Sequence, residues 1–321
     1  MRGTSTVLSP HVPRDIPTHP DLTQIRSIAP VVEFLFSWAP LLVTRATNPS
    51  KAPEHPDVEV AQVRVGASGI RTLIMRPKNK SITDPLPTVV WIHGGGLIFG
   101  TPEASAHSTV RLVTDLGLQV VLPQYRLAPE NTSPAASDDV FEVLQWASTG
   151  GDGRVDTSRV SVGGNSAGGG LAATLAQRAF DAGIVLRSQL LVYPMLDDRS
   201  NLPGAVHPPH PAVWTRYLNT YGWRSYLGKH ADAPEGAPKY TVAARREGLE
   251  GLAEAWIGVG LQDLFYEEDV TYARRLREAG VKCDIVEVPG APHAFDEFCK
   301  DAPVVKEFVE SQLAFFKRTL A

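Results

Sequence analysis

The chain has 321 residues, a formal net charge of −4 and 43% apolar residues. That acidic balance excludes nucleic acid as a general partner, since phosphate binding needs a basic surface. Cys283 and Cys299 are the two cysteines. They are too few for a disulfide framework and fall in different predicted elements, so two unpaired thiols are expected.

The first 16 residues show no apolar segment of the kind a secretory signal needs, so a cytoplasmic location is expected. The most apolar run, residues 30–43, is too short to span a bilayer and contains Glu33 and Pro40, so no stable membrane insertion is expected. Residues 1–55 are rich in proline, with helix-like pieces at 22–28 and 31–38. They are read as an N-terminal helical cap segment.

From Val58 the pattern changes. Residues 58–65 alternate in polarity, 66–69 turn through two glycines, and 70–76 continue, which predicts an antiparallel strand pair. After Pro87, short apolar strands follow at 88–92, 119–123, 160–162, 189–193, 255–259 and 283–288. Helical patterns lie at 103–116, 135–147, 171–182, 268–279 and 303–320. Apolar strands alternating with amphipathic helices predict an α/β fold, with a mostly parallel central sheet covered on both faces. Residues 195–251 break this rhythm and are read as a cap insertion rich in aromatics, including Trp214, Tyr217, Tyr221 and Trp223. Residues 56–194 and 252–321 are then the core.

The strand at 160–162 runs into Gly163-Gly164-Asn165-Ser166-Ala167-Gly168 and then a helix. A nucleophile on so sharp a turn needs small neighbours two residues before and after, here Gly164 and Gly168, and it faces a helix N-terminus. Directly after the strand at 88–92 stands His93-Gly94-Gly95-Gly96. Such a loop lets backbone N–H groups approach a developing oxyanion. His93 and Gly94 are read as orienting that loop, not as supplying a base. Asp263 and His293 each follow an apolar strand, so both would emerge beside Ser166 at the carboxyl edge of the sheet.

Taken together, these residues resemble the hormone-sensitive-lipase-like family of α/β-hydrolases, microbial carboxylesterases and lipases. The landmarks are His93-Gly94-Gly95-Gly96, Tyr125-Arg126-Leu127-Ala128-Pro129-Glu130, the serine turn, Asp263 and Pro292-His293-Ala294-Phe295. The resemblance implies Ser166 as nucleophile, His293 as base and Asp263 as the acid orienting it. The oxyanion donors would be the N–H groups of Gly95, Gly96 and Ala167. Hydrolysis of small to medium apolar carboxylic esters is expected, with no cofactor, no metal, and a homodimer left open. Two departures stand out. Asn165 and Gln124 replace carboxylates usual in the family, which removes negative charge expected near the turn and the glycine loop.

Other readings concern neighbouring groups. Glu267 and Glu268 are read as carboxylates at a helix N-terminus, either one a candidate acid if the loop were shifted. Asp296 is read as solvated. His207 and His210 lack further ligands in register, so no zinc site is read there. A lactonase, deacetylase or acyl transferase would use the same triad. A ligand receptor like the plant gibberellin receptor would not, since in it the histidine is replaced.

Overall fold

The structure, a computed structural model, describes residues 17–25, 45, 51–81, 83–201, 213–231 and 236–320. Residues 30–43, and both His207 and His210, lie outside the described residues.

Eight strands form one sheet in the order β1-β2-β4-β3-β5-β6-β7-β8. These are β1 Val58–Val65, β2 Ile70–Pro77, β3 Leu86–Ile92, β4 Gln119–Pro123, β5 Val155–Asn165, β6 Ser188–Val192, β7 Glu254–Gly260 and β8 Cys283–Val288. The hairpin β1–β2 is antiparallel, with Val65 opposite Ile70. Gly66 and Gly69, at φ 71 and 63, supply the left-handed backbone its tight turn needs. β2 joins β4 antiparallel, and every later pairing is parallel.

Alternation along the strands divides the core in two. Val90, Ile92, Val121, Val162 and Leu191 face one apolar cluster. Val89, Trp91, Val120, Leu122 and Leu190 face the other. Helices α2 Ala135–Ser148, α3 Ala167–Asp181 and α5 Tyr266–Glu278 cover the first face, and α1 Pro102–Thr114 and α7 Pro303–Leu320 cover the second. Each fully buried aliphatic side chain in such layers stabilises by about 1.5–3 kcal/mol relative to exposure. The expected fold class is therefore the observed one.

Two elements differ from expectation. The helix after Ser166 begins at Ala167, not at residue 171. The run Gly168-Gly169-Gly170 reads as a helix breaker, yet here it allows close packing. A Cβ at Gly168 would collide with the Ile92 carbonyl, and one at Gly170 with the Met195 carbonyl. The second difference is helix α4, Arg216–Leu227, within the aromatic stretch. Its Leu218, Trp223, Tyr226 and Leu227, with Trp214, join the first core cluster. A short helix, α6 Phe295–Phe298, follows His293. Among the described residues, no helix is long and apolar enough to cross a membrane.

Candidate active site

Parallel register brings the ends of several strands to one edge. Ile92 lies beside Gly164, Asn165 beside Val192 and Gly260 beside Val288. The residues that follow these ends are His93, Ser166, Asp263 and His293.

Ser166 occupies the joint between β5 and α3 at φ 56 and ψ −123. A non-glycine residue held there stores about 1–3 kcal/mol of strain, and the surroundings over-determine it. Its N–H donates to Val192 O at 2.8 Å, and its carbonyl accepts from Met195 and Gly170 at 3.0 Å each. The small-neighbour requirement is met literally. A Cβ at Gly164 would stand 2.5 Å from Gly168 O and 2.6 Å from Ile92 O.

The loops bearing Asp263 and His293 are stitched to each other. Leu261 N donates to Val288 O and Gln262 N to Ala291 O, both at 3.0 Å. His293 Nδ1 then lies 2.8 Å from Asp263 Oδ2, and His293 Nε2 lies 2.9 Å from Ser166 Oγ. Asp263 Oδ1 accepts from Phe265 N at 2.9 Å, so both carboxylate oxygens are engaged. All three side chains are buried. The imidazole is caged by aromatics, edge-on to Tyr193 at 4.8 Å and Phe265 at 5.1 Å and tilted to Trp214 at 6.3 Å between ring centroids. The structure thus joins Ser166, His293 and Asp263 in one hydrogen-bonded line.

The glycine loop is organised by His93. Its ring stacks on Tyr125 at 4.2 Å, and Tyr125 returns a hydroxyl bond to His93 O at 3.0 Å. Burial lowers the His93 pKa to about 4, so the ring is neutral near pH 7. Nδ1, 2.8 Å from Gly94 O, is then the protonated nitrogen, since a carbonyl can only accept. Gly95 and Gly96 adopt φ 114 and 57. A Cβ on Gly95 would collide with Phe99 O, and one on Gly96 with the Trp214 ring. Among the described residues, no acceptor is bonded to the N–H of Gly95, Gly96 or Ala167.

One sequence reading needs correction, that of Asp296. Glu267 and Glu268 do stand in the first turn of α5, and Glu268 has several partners. It accepts from Leu196 N at 2.7 Å and Asp197 N at 3.3 Å and from Ser200, and burial pushes its pKa well up. Neither Glu267 nor Glu268 contacts His293; Asp263 does. Asp296 is half-buried rather than solvated, and it accepts the Tyr193 hydroxyl at 2.7 Å. Gln124 is neutral, as read, and Arg71 donates to its Oε1 at 2.6 Å while forming an ion pair with the buried Glu103.

Asn165 does leave its own side chain uncharged. It packs against Gly94, whose Cβ would meet its Nδ2 at 3.2 Å. The two cysteines are free, as expected, and both are buried. Arg45 is a residue sequence reasoning missed. It binds Glu130 at 2.7 and 2.8 Å, Ile98 O at 3.0 Å and Ala128 O at 2.9 Å. It thereby ties residue 45 to Ile98, just beyond the glycine loop, and to residues 128–130, and no local pattern signals such a long-range contact.

A family model described as the alpha/beta hydrolase fold matches residues 89–297. Carboxylesterase NlhH of Mycobacterium tuberculosis is 31% identical, with 91% of this chain and 96% of that protein covered. Among solved structures, the Bacterial Heroin Esterase superposes with a TM-score of 0.82 at 28% identity, covering 95% and 98% of the two chains. A thermostable esterase from Pseudomonas putida gives 0.76 at 25% identity, covering 94% and 97%. Sheet, site geometry and relatives agree, and the chain belongs to the hormone-sensitive-lipase-like family of α/β-hydrolases.

Proposed function

We propose that the chain is a serine carboxylesterase acting on small to medium apolar esters. The observation that carries this is the unbroken bond line from Ser166 Oγ through His293 to Asp263. Its relatives include proteins named carboxylesterase and esterase.

Ser166 Oγ attacks the ester carbonyl carbon while His293 Nε2 takes its proton. Asp263 holds the tautomer and stabilises the imidazolium. The N–H groups of Gly95, Gly96 and Ala167 bind the oxyanion. Collapse of the tetrahedral intermediate expels the alcohol, which takes its proton from His293. Water then attacks the acyl-serine, His293 again taking and returning the proton, and releases the acid. Residues 195–251 and 1–55 act as a cap over this site, and short acyl groups turn over better than long ones. The working location is the cytoplasm.

The test is hydrolysis of p-nitrophenyl acetate by wild type, Ser166→Ala and His293→Ala. Each variant should lose several powers of ten in rate. Turnover near wild type in either would sink the assignment. A non-catalytic receptor is disfavoured by the same bond line, because His293 is present and engaged on both nitrogens.

A further inference from the structure

We propose that Trp214 sets the size limit for the alcohol half of the ester, an inference that rests on the esterase reading above. In the tetrahedral intermediate the carbonyl oxygen points at the N–H groups of Gly95 and Gly96. The leaving oxygen must come within reach of His293 Nε2, because that nitrogen protonates it. The alkoxy group therefore extends through the corner between the glycine loop and the imidazole. The acyl group takes the remaining direction.

Trp214 stands in that corner. A Cβ built on Gly96 would lie 2.7 Å from Trp214 Cζ2, so the indole rests directly on the glycine. Its centroid is 6.3 Å from His293 and 6.5 Å from Phe99. The ring is also locked. Its Nε1 donates to Asn219 Oδ1 at 3.3 Å, and both residues are buried. One turn along α4, a Cβ at Gly222 would stand 2.8 Å from Gly96 O and 3.6 Å from Trp214 Cζ2. Helix α4 thus runs close to both the glycine loop and the indole. Narrow primary alkoxy groups pass such a wall, and bulky cyclic ones meet it.

The experiment measures acid release by pH-stat for two ester series, with wild type and Trp214→Ala. One series holds acetate constant and compares cyclohexyl with ethyl. The other holds ethanol constant and compares hexanoate with acetate. Trp214→Ala should raise the cyclohexyl-to-ethyl ratio of kcat/KM by about tenfold or more. The hexanoate-to-acetate ratio should stay within about twofold. Asn219→Ala, which keeps the ring but frees it, should shift the alcohol ratio in the same direction and less far. Where Trp214→Ala does not fold, Trp214→Leu tests the same removal of bulk. An unmoved alcohol ratio in a variant that still hydrolyses ethyl acetate would overturn the proposal, as would a change in the acyl ratio instead. A wild type that hydrolysed neither series would overturn the esterase reading itself, a result distinct from both.

Discussion

Tyr193 donates its hydroxyl hydrogen to Asp296 at 2.7 Å while its ring stands edge-on to His293. Neither partner of that bond belongs to the triad, and Tyr193 sits in the left-handed region at φ 35. Burial first, and Glu297 second, raise the Asp296 carboxyl to about 7. Its folded pKa therefore exceeds its unfolded one, and the folded state holds the proton longer. Stability at this group is full at low pH and is lost as pH rises from about 4 through about 7. Asp296→Asn keeps an acceptor for Tyr193 and removes the charge. Its thermal midpoint relative to wild type should rise between pH 4 and 7 and then level. A difference independent of pH would count against this account.

His93 works through packing and one backbone bond, and its ring is neutral over the working range. Removing it with His93→Ala deprives Tyr125 of its stacking partner and loosens the glycine loop. A displacement of about 1 Å at reacting atoms can cost about 100-fold, so a loss of that order in kcat is expected. The drop should be uniform from pH 5 to 9, because no ionisation of His93 falls there. A variant whose pH profile changed shape would show His93 taking part in proton transfer.

Gly96 is constrained twice, by φ 57 and by the indole above it. Gly96→Ala should cut kcat/KM by about 100-fold through displacement of its N–H. In a Trp214→Ala background the steric part disappears and only the backbone strain remains. The double variant should therefore lose less than the product of the two single losses, a coupling typical of residues in contact. Purely multiplicative losses would separate the two residues.

Arg71 holds both Gln124 and Glu103, and Glu103 is 5% exposed. Glu103→Gln would leave the guanidinium without its charged partner, although Arg71 retains some solvent. A loss of about 1–3 kcal/mol in urea unfolding is expected. Adding Gln124→Asp to that variant should restore part of it, since the new carboxylate lies on the same donor. Failure of that rescue would mean that Glu103 serves another partner.

The legible part of this molecule is the part written locally. Strand cores such as 119–123 and 283–288 showed as apolar runs. The line Ser166, Asp263, His293 showed because each residue follows a strand of a parallel sheet, and parallel register fixes which ends meet. The start of α3 did not show, because three consecutive glycines look like a breaker until the carbonyls of Ile92 and Met195 are seen to exclude any Cβ. Tyr193 and Asp296 are 103 residues apart, and Arg45 and Glu130 are 85 apart. Pairings of that kind come from the path of the chain through space and leave no spacing to read. The burial of Asp296 was missed for the same reason: its partner Tyr193 arrives from the residue after β6.

Ser166 precedes the aromatic insertion, and Asp263 and His293 follow it, with His293 127 residues beyond the serine. No contiguous fragment ending before β8 can contain the bond line, however much helix it forms. Ester turnover thus requires chain from both sides of that insertion, brought together by the sheet. During refolding from denaturant, regained activity should trail regained helical signal, since long-range strand pairings are slow to form.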